Sequence, residues 1–341
     1  MHQLSPDIVE HILANFTKDE ISYLNSCVFL ISGGNGFAAE WIVSILYSLS
    51  PKDSLPKIAL ISRDPAKIAM KYKNYHNLKA VSWQNLSFEN VGEDVTNFIV
   101  IHSSVPAASG ENILGAEIDS YSKNTEILLD AALKVSLKPT LVNLSTGGLY
   151  MRPSHGFIGE TINNVKSQNL TPYESVKFND EEIASRYDAA GLVRATNPRL
   201  FSFTGPGLKI PGKFALTEFA SDAISGKPIQ IRGNPKSLRS YMSPVDMGIW
   251  ILKCAIWPSM KVVHIGSSEG LLMSEVAALV GQEFGPTNKI VIQESVALPE
   301  SYVPENTETK KRLGINRVLD FRESVKFWST NLGVNHSSRF H

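Results

Sequence analysis

Tyr173, Lys177 and Thr146 combine the side-chain types and spacing that base catalysis on a hydroxyl group requires. Tyr173 and Lys177 stand four residues apart in TPYESVK (171–177), which is predicted to be helical, so they lie on one helix face. A free phenol has a pKa of about 10 and is a poor base at neutral pH. A nearby ammonium favours the phenolate and lowers its pKa, while the Thr146 hydroxyl can bind the oxygen of an alcohol whose carbon is oxidised. Because Tyr-x-x-x-Lys also arises by chance, this assignment depends on the surrounding motifs.

Thr146 belongs to STGGLY (145–150), where two glycines follow it directly. Glycine can neither take nor give a proton, so Gly147 and Gly148 place no carboxylate next to Thr146. These glycines either serve a turn conformation or leave room beside Thr146 for a substrate to rotate. The sequence leaves both interpretations open.

A glycine-rich turn predicts the place where a dinucleotide binds. The apolar run CVFLIS (27–32) leads directly into GGNGFAAE (33–40). Gly33, Gly36 and their small neighbours let the chain turn tightly and let the backbone approach a pyrophosphate at a helix N-terminus. The spacing is G-x-x-G-x-x-A rather than G-x-G-x-x-G, and a purely structural turn is the alternative.

The end of the second strand bears on the choice of dinucleotide. An acid at this position would bind the ribose 2′-hydroxyl of NAD, but KIALIS (57–62) ends in Ser62 and Arg63 follows. A guanidinium can pair with a 2′-phosphate. The sequence therefore favours NADP over NAD, unless Arg63 pairs with Asp64 at the surface.

Strands alternate with helices through the first two thirds of the chain. The predicted strands cover 27–32, 57–62, 78–83, 97–103, 140–145 and 192–197, and helices are predicted between them, including 122–134 and 171–190. This alternation predicts an α/β fold with a Rossmann-type doubly wound parallel sheet, followed by a smaller, mixed C-terminal region. An amphipathic helix that begins at Ser5-Pro6 precedes the first strand and is expected to pack on the outside.

Composition limits the partners and the compartment. The 341 residues include 33 Lys and Arg against 33 Asp and Glu, so we expect neither nucleic acid nor an anionic membrane as a partner. Two cysteines, Cys27 and Cys254, cannot build a disulfide framework, and the 8 His and 2 Cys show no metal-ligand spacing. The polar N-terminus is unlike a signal peptide, and the longest apolar stretch (247–257) is too short to span a membrane. We expect a soluble, cytoplasmic protein without a metal.

Several motifs in a fixed order resemble those of the extended short-chain dehydrogenases/reductases, specifically the NAD(P)-dependent epimerase/dehydratase family that acts on nucleotide sugars. The resemblance covers residues from about 26 to 330. The matching segments are SGGNGF, FIVIHSS, NTEILLDAALK, STGGLY, PYESVK, NPRLFSFTGPG, IQIRGNPKSLRSYMSPVDM and VVHIGSSEGLLMSEVAALV. The resemblance implies a catalytic set of Thr146, Tyr173 and Lys177, in which Tyr173 is the base and Lys177 holds the nicotinamide ribose.

The resemblance also implies binding residues. Those for the cofactor are Gly33, Asn35, Gly36, Phe37, Ser62, Arg63, Asn85, Ser103, Ser104 and Lys177. Those for a nucleotide-diphosphate sugar are Thr146, Tyr173, Ser202 and Arg239, with Arg239 on the diphosphate. The chain departs from the family where Ser202 replaces an Asn, Asn85 an Asp and Tyr121 an Asn.

The reaction implied by the resemblance is oxidation and reduction at a sugar carbon, C4 by expectation. The family's 4,6-dehydratases carry Asp and Glu where this chain has Gly147 and Gly148. We therefore expect a 4-epimerase. The alternatives are a 4-ketoreductase or dehydrogenase, an atypical dehydratase whose acid comes from elsewhere, such as Glu160 or Glu174, and a cofactor-binding sensor without activity.

The resemblance further implies an assembly and a division of the chain. We expect a homodimer that forms through helices near 115–134 and 172–190. Residues 1–25 are expected to form an N-terminal helical extension, and 26–200 with about 239–265 the dinucleotide-binding domain. Residues 201–238 and 266–341 are expected to bind the nucleotide sugar.

Overall fold

The computed structural model describes residues 4–50, 54–86, 95–103, 115–160, 165–166, 168–259, 263–285, 289–293 and 297–333. Its strands are β1 Val28–Ser32, β2 Lys57–Ser62, β3 Leu78–Ser82, β4 Phe98–His102, β5 Thr140–Asn143, β6 Ser145–Thr146, β7 Arg194–Thr196, β8 Pro198–Leu200, β9 Ile229–Ile231, β10 Leu238–Arg239, β11 Val263–Ile265, β12 Leu271–Leu272, β13 Ile290–Ile292 and β14 Ser301–Tyr302. Its helices are α1 Pro6–Ala14, α2 Lys18–Ser26, α3 Phe37–Leu49, α4 Pro65–Lys71, α5 Gly115–Leu133, α6 Pro172–Ala189, α7 Ala215–Ile224, α8 Pro244–Ile256, α9 Met273–Phe284, α10 Thr307–Leu313 and α11 Phe321–Asn331.

The central sheet has six strands in the order β3-β2-β1-β4-β5-β7. All neighbouring pairs in this sheet are parallel. Strands β1 and β4 are buried along their whole length, which is why each appears in the sequence as a continuous apolar run. This topology confirms the predicted α/β fold with a Rossmann-type sheet.

The predicted fifth strand divides into two short strands. Strand β5 stays in the central sheet, whereas β6 leaves it and pairs with β8, which in turn pairs with β11. Leu144, between the two strands, is still tied to the central sheet because its N–H donates to the carbonyl of His102 at 2.9 Å. The departure of β6 carries Thr146 away from the central sheet towards the C-terminal segments.

Two helices, rather than the single one predicted, precede the first strand. Helix α2 begins at a capping box in which Thr17 and Glu20 bond each other's backbone N–H groups. Helix α1 is joined to α8 by a hydrogen bond of 2.7 Å between His11 Nε2 and Asp246 Oδ1, both of which are buried. The N-terminal segment therefore packs on α3 and α8, through buried polar contacts as well as apolar ones.

The C-terminal region has its own apolar core between α7, α9 and α11. Beside it, β10 lies between β12 and β14 in a small sheet. The parallel register of β10 and β14 places Arg239 opposite Tyr302. No helix in the described parts of the chain combines the length and apolar character needed to cross a lipid bilayer.

Candidate active site

The glycine turn between β1 and α3 is tightly built. Gly33 has a φ of 69°, in the left-handed region that favours glycine. A methyl group on Gly34 would lie 2.7 Å from Leu60 Cβ, because this turn packs against β2. The Gly36 N–H donates to the Gly33 carbonyl at 2.7 Å, and Gly36 is the N-cap of α3 without a side chain to cover the helix end. A turn that leaves no room for Cβ atoms and opens onto a helix N-terminus fits a dinucleotide pyrophosphate.

The end of β2 is connected to this turn. Asn35 Nδ2 donates to Ser62 Oγ at 2.7 Å, and the Asp64 N–H donates to the same oxygen at 3.0 Å. The Asp64 carboxylate caps α4 by accepting the Lys67 N–H at 3.1 Å. Arg63 is exposed, and within the described chain no hydrogen bond or ion pair joins it to Asp64. The alternative of a surface pair between Arg63 and Asp64 is therefore not what this structure shows.

Phe37, Asn85 and Ser103 follow strands at the same edge of the sheet. Phe37 opens α3, and its ring centroid lies 6.4 Å from that of Phe203. Asn85 ends a short helical turn after β3, and the Ser103 N–H after β4 donates to Ser32 Oγ at 2.9 Å. Ser104 lies outside the described residues.

Thr146 and Tyr173 meet at the start of α6. A hydrogen bond joins their hydroxyl groups, and Thr146 Oγ1 also accepts the Gly148 N–H at 3.1 Å. Helix α6 begins at a capping box formed by Thr171 and Glu174, which fixes Tyr173 in the first turn. The structure therefore brings together two of the three predicted catalytic side chains.

The pKa of Tyr173 differs from the expectation. Burial raises it to about 12, the Thr146 hydrogen bond lowers it, and the carboxylates of Asp180 and Glu174 raise it further. The lowering expected from an ammonium together with the positive nicotinamide stays a prediction, because in the protein chain alone desolvation of the phenolate outweighs the Thr146 hydrogen bond. A positive charge brought by a ligand acts in the opposite direction.

Lys177 lies one turn further along α6 and is 2% exposed. Burial lowers its pKa, whereas Asp180 and Glu181 raise it. Burial and the Lys177 charge together lower the pKa of His102 to about 3, so this imidazole is neutral. Burial therefore acts against the charged form of Lys177, and the two nearby acids act in its favour.

A buried hydrogen-bond chain fixes the orientation of His102. The Thr125 hydroxyl donates to Asp180 Oδ1 at 2.6 Å, so its oxygen accepts from His102 Nε2 at 3.0 Å. The Ser32 hydroxyl, whose oxygen already accepts a backbone N–H, donates to His102 Nδ1 at 2.9 Å. Burial raises the pKa of Asp180 to about 6, against the lowering effect of Lys177 and Thr125.

The two glycines after Thr146 do not leave open space. A methyl group on Gly147 would lie 2.8 Å from the hydroxyl of Tyr302 and 2.8 Å from the ring of Phe201. One on Gly148 would lie 3.0 Å from Glu174 Oε1. The interpretation that these glycines make room for a rotating substrate is therefore wrong, because side chains from distant segments pack against them.

Tyr302 is a site residue that sequence reasoning missed. Its hydroxyl hydrogen-bonds to Thr146, and burial raises its pKa. It comes from β14, more than 150 residues after Thr146, and no local motif marks it. Its contact with Thr146 depends on the departure of β6 from the central sheet, which the sequence does not reveal.

Arg239 lies opposite Tyr302 in the register of β10 and β14. Its Nη1 donates to the carbonyl oxygens of Leu238 at 2.9 Å and Glu300 at 3.1 Å, and its Nη2 bonds to the Glu300 carboxylate. Ser202 is half-buried after β8, and its carbonyl accepts the Met242 N–H at 3.0 Å. In the described chain, no three His, Cys, Asp or Glu side chains are grouped as metal ligands.

Comparisons with known proteins identify the family of the chain. Residues 29–264 match the model of the NAD dependent epimerase/dehydratase family. UDP-glucuronic acid decarboxylase 4 of Arabidopsis thaliana is 21% identical over 154 residues, which are 45% of this chain. The match spans about a third of that relative's length, 35%.

Solved structures show the same fold at low identity. Epimerase Mth375 from Methanothermobacter thermautotrophicus has a TM-score of 0.73 at 15% identity, covering 98% of this chain and 97% of that one. UDP-glucuronic acid 4-epimerase from Bacillus cereus, in complex with UDP-glucuronic acid and NAD, has a TM-score of 0.70 at 17% identity, covering 90% and 99%. UDP-glucose 4-epimerase with UDP-glucose from Thermotoga maritima has a TM-score of 0.69 at 17% identity, covering 90% and 98%.

Proposed function

Because the chain belongs to the NAD dependent epimerase/dehydratase family, and is an enzyme of the extended short-chain dehydrogenase type, we propose that it is a nucleotide-sugar 4-epimerase. The observation that carries the proposal is the pair of hydroxyl groups on Thr146 and Tyr173, with the buried Lys177 one turn behind them. Of the carboxylates that act on Tyr173, Glu174 has both oxygens hydrogen-bonded, and Asp180 is fully buried with its Oδ1 on the Thr125 hydroxyl. Such a site supports hydride and proton transfer at a hydroxyl-bearing carbon without elimination.

Residues of the chain itself transfer the proton of the sugar C4 hydroxyl. Thr146 binds the sugar C4 hydroxyl, and the Tyr173 phenolate takes its proton as the carbon is oxidised. The proton returns from Tyr173 when the carbon is reduced. Phenolate formation at a pKa of about 12 is unfavourable near pH 7, so a positive charge beside Tyr173 is needed to lower it.

The cofactor fits the glycine turn. Gly33, Gly36 and the N-terminus of α3 would hold the pyrophosphate, and Lys177 the nicotinamide ribose. When bound, nicotinamide supplies the hydride acceptor and donor, with a positive charge in its oxidised form. An epimerase must bind the 4-keto sugar so that either face meets the hydride donor.

The acids that dehydration would need are already engaged. Glu174 Oε1 accepts Lys166 Nζ at 2.9 Å, and Oε2 accepts the Thr171 N–H at 2.9 Å. Both oxygens of Glu160 bond to the first turn of α10, at Glu308 and Thr309. Elimination requires a base at C5 and an acid at C6, and either carboxylate would have to give up these hydrogen bonds to take that role. This favours epimerisation over an atypical dehydratase.

For the cofactor, we propose NADP. The support is the exposed Arg63 guanidinium next to Ser62, where no acid stands to bind a 2′-hydroxyl. For the substrate, we propose a nucleoside-diphosphate sugar, beginning with UDP sugars because similar structures contain UDP-glucose and UDP-glucuronic acid.

We also propose a homodimer through α5 and α6. These helices pack side by side, and Ile127 on α5 is 43% exposed. Light scattering coupled to gel filtration should give twice the chain mass of 37.5 kDa. A single-chain mass at micromolar concentration would contradict this proposal.

The test of the reaction is incubation with a panel of UDP and dTDP hexoses, followed by mass spectrometry and NMR. Epimerisation predicts a product of unchanged mass that is inverted at C4. Tyr173→Phe should reduce the rate by about 10²–10⁴ while leaving the fold and cofactor binding intact. A product lighter by one water would contradict the proposal and show that Glu174 or another acid acts, and a change of two hydrogens would indicate a reductase or dehydrogenase.

A further inference from the structure

Two arginines from distant segments share one carboxylate oxygen. Arg239 Nη2 and Arg152 Nη1 both donate to Oε1 of Glu300, the latter at 2.8 Å. The side chains of Arg152 and Glu300 are 40% and 37% exposed, and that of Arg239 is 20% exposed. Burial raises the pKa of Glu300, but the two arginines outweigh it and hold the pKa below its usual range. The three groups keep a net charge of +1, so the cluster still attracts an anion.

Arg239 is fixed in place by the backbone. Its Nη1 bonds to two carbonyl oxygens, of Leu238 and Glu300, which leaves Nη2 directed at the carboxylate. A guanidinium held this way loses little side-chain freedom when an anion replaces the carboxylate. The position is therefore organised before a ligand binds.

Arg152 is placed by an aromatic ring that also contacts the catalytic hydroxyl. Its Cζ lies 4.8 Å from the ring centroid of Tyr302, and the Tyr302 hydroxyl bonds to Thr146. One tyrosine ring thus separates this cation from the oxygen that would bind the sugar C4 hydroxyl. A ligand whose reacting hydroxyl binds Thr146 would reach Arg152 with a negatively charged group that lies about one sugar ring away from that hydroxyl.

The family resemblance already implies that Arg239 contacts the diphosphate of the nucleotide sugar. We propose that Arg152 is a second diphosphate ligand, on the sugar-side phosphate, and that the Glu300 carboxylate competes with the diphosphate for both arginines. This inference rests on the proposed function. A half-exposed ion pair contributes little, so its rearrangement costs little. A diphosphate offers more oxygens and more negative charge than one carboxylate, and guanidinium forks bind such oxygens well. The diphosphate therefore displaces the Glu300 carboxylate from the two arginines.

Calorimetric titration of the full-length protein with UDP tests the proposal. Arg152→Ala should raise the dissociation constant for UDP about tenfold or more. It should change binding of UMP, which lacks the sugar-side phosphate, far less. Glu300→Gln should lower the dissociation constant for UDP about threefold to fivefold, because a neutral amide competes weakly. Arg317→Ala, which breaks a surface pair with Glu323 far from this cluster, is the matched control and should have no effect.

The double variant separates direct binding from a supporting role. If Arg152 contacts the phosphate, Arg152→Ala should still weaken UDP binding at least tenfold in the Glu300→Gln background. An effect of Arg152→Ala that disappears in that background, or that is equal for UDP and UMP, would overturn the assignment. So would a loss confined to UDP-glucuronic acid, which would place the sugar carboxylate on Arg152. Wild-type protein that binds none of UDP, dTDP or GDP would instead contradict the proposed substrate class itself.

Discussion

At Tyr173, burial and hydrogen bonding act in opposite directions on the same phenol. Burial raises its pKa to about 12, and the hydrogen bond from the Thr146 hydroxyl acts against this rise. The buried phenol is therefore protonated in the protein alone. A cationic ligand beside it would make the base available only when the site is occupied, since its charge favours the phenolate.

A substitution at Arg63 should affect the binding affinity for NADP more than the affinity for NAD. Arg63→Ala removes an exposed guanidinium that has no ion-pair partner in the described chain, so folding should not change. A lost charge-assisted bond to the 2′-phosphate should weaken NADP binding by about 1.5–3 kcal/mol and leave NAD binding nearly unchanged. Fluorescence titration with both dinucleotides measures this. Equal losses for the two would place cofactor choice at Ser62 or in the backbone.

Gly147→Ala tests whether the glycine is required by close packing. The added methyl group would lie 2.8 Å from both Tyr302 Oη and the Phe201 ring, so one of them must move. Overpacking of this kind typically costs about 1–3 kcal/mol in the free energy of unfolding, and it would also disturb the Tyr302–Thr146 contact. Urea unfolding and steady-state rates measure both effects. The control is Gly159→Ala, where no atom lies within 4 Å of the new methyl group, and equal stability of the two variants would refute the packing argument.

At the scale of elements, α6 carries Tyr173, Lys177 and the buried acid Asp180. Asp180 is fully buried and has a pKa of about 6 in the folded protein, above the ordinary value near 4. Between these values, the folded protein keeps a proton that the unfolded chain has lost. The contribution of Asp180 to stability therefore falls as pH rises from about 4 to 6.

Asp180→Asn should remove the loss of unfolding free energy that Asp180 causes as pH rises from about 4 to 6. Asparagine does not titrate, and its Oδ1 can still accept the Thr125 hydroxyl. Relative to wild type, the variant should gain about 1–3 kcal/mol of unfolding free energy between pH 4 and pH 6.5. Urea unfolding across this range measures the difference. The exposed Asp130→Asn on α5 is the control, and an Asp180→Asn curve parallel to that of wild type would contradict the assignment.

Some helices and strands could be predicted from the sequence, and others could not. Strands β1, β2 and β4 could be predicted because burial on both faces demands continuous apolar runs, and the glycine turn because it follows such a run. The start of α2 was marked by Thr17 and Glu20, a capping-box spacing that the prediction overlooked. The separation of β6 from β5 had no local signal, since TLVNLS suits one strand or two. Tyr302 and Arg152 were therefore missed, because their place in the site depends on long-range packing.

At the scale of the whole molecule, the N-terminal helices are joined to the rest of the fold by buried polar pairs. His11 bonds to Asp246 at 2.7 Å, and Lys253 bonds to both oxygens of Glu20 at 2.7 Å. Asp246 also accepts the Leu319 N–H at 3.0 Å, so one buried carboxylate connects the N-terminal segment, α8 and the C-terminal segment. These contacts make the N-terminal segment part of the folded unit.

His11→Ala should therefore destabilise the whole protein. The change leaves the buried Asp246 carboxylate short of one partner, which typically costs about 1–3 kcal/mol in unfolding free energy. Thermal unfolding monitored by circular dichroism should show a lower midpoint for His11→Ala than for Glu10→Ala, an exposed change on the same helix. Identical midpoints would mean that the N-terminal helix does not unfold together with the rest of the chain.

The central claim, epimerisation at C4, is tested most directly by following the hydrogen on that carbon. The enzyme would be incubated with UDP-glucose, UDP-N-acetylglucosamine and UDP-glucuronic acid, each carrying deuterium at C4, and the products examined by NMR and mass spectrometry. The account predicts that at least one sugar is inverted at C4 and keeps its deuterium, because the hydride leaves and returns within one site. Loss of water, a lasting change of two hydrogens, or no inversion of any of the three sugars would contradict it.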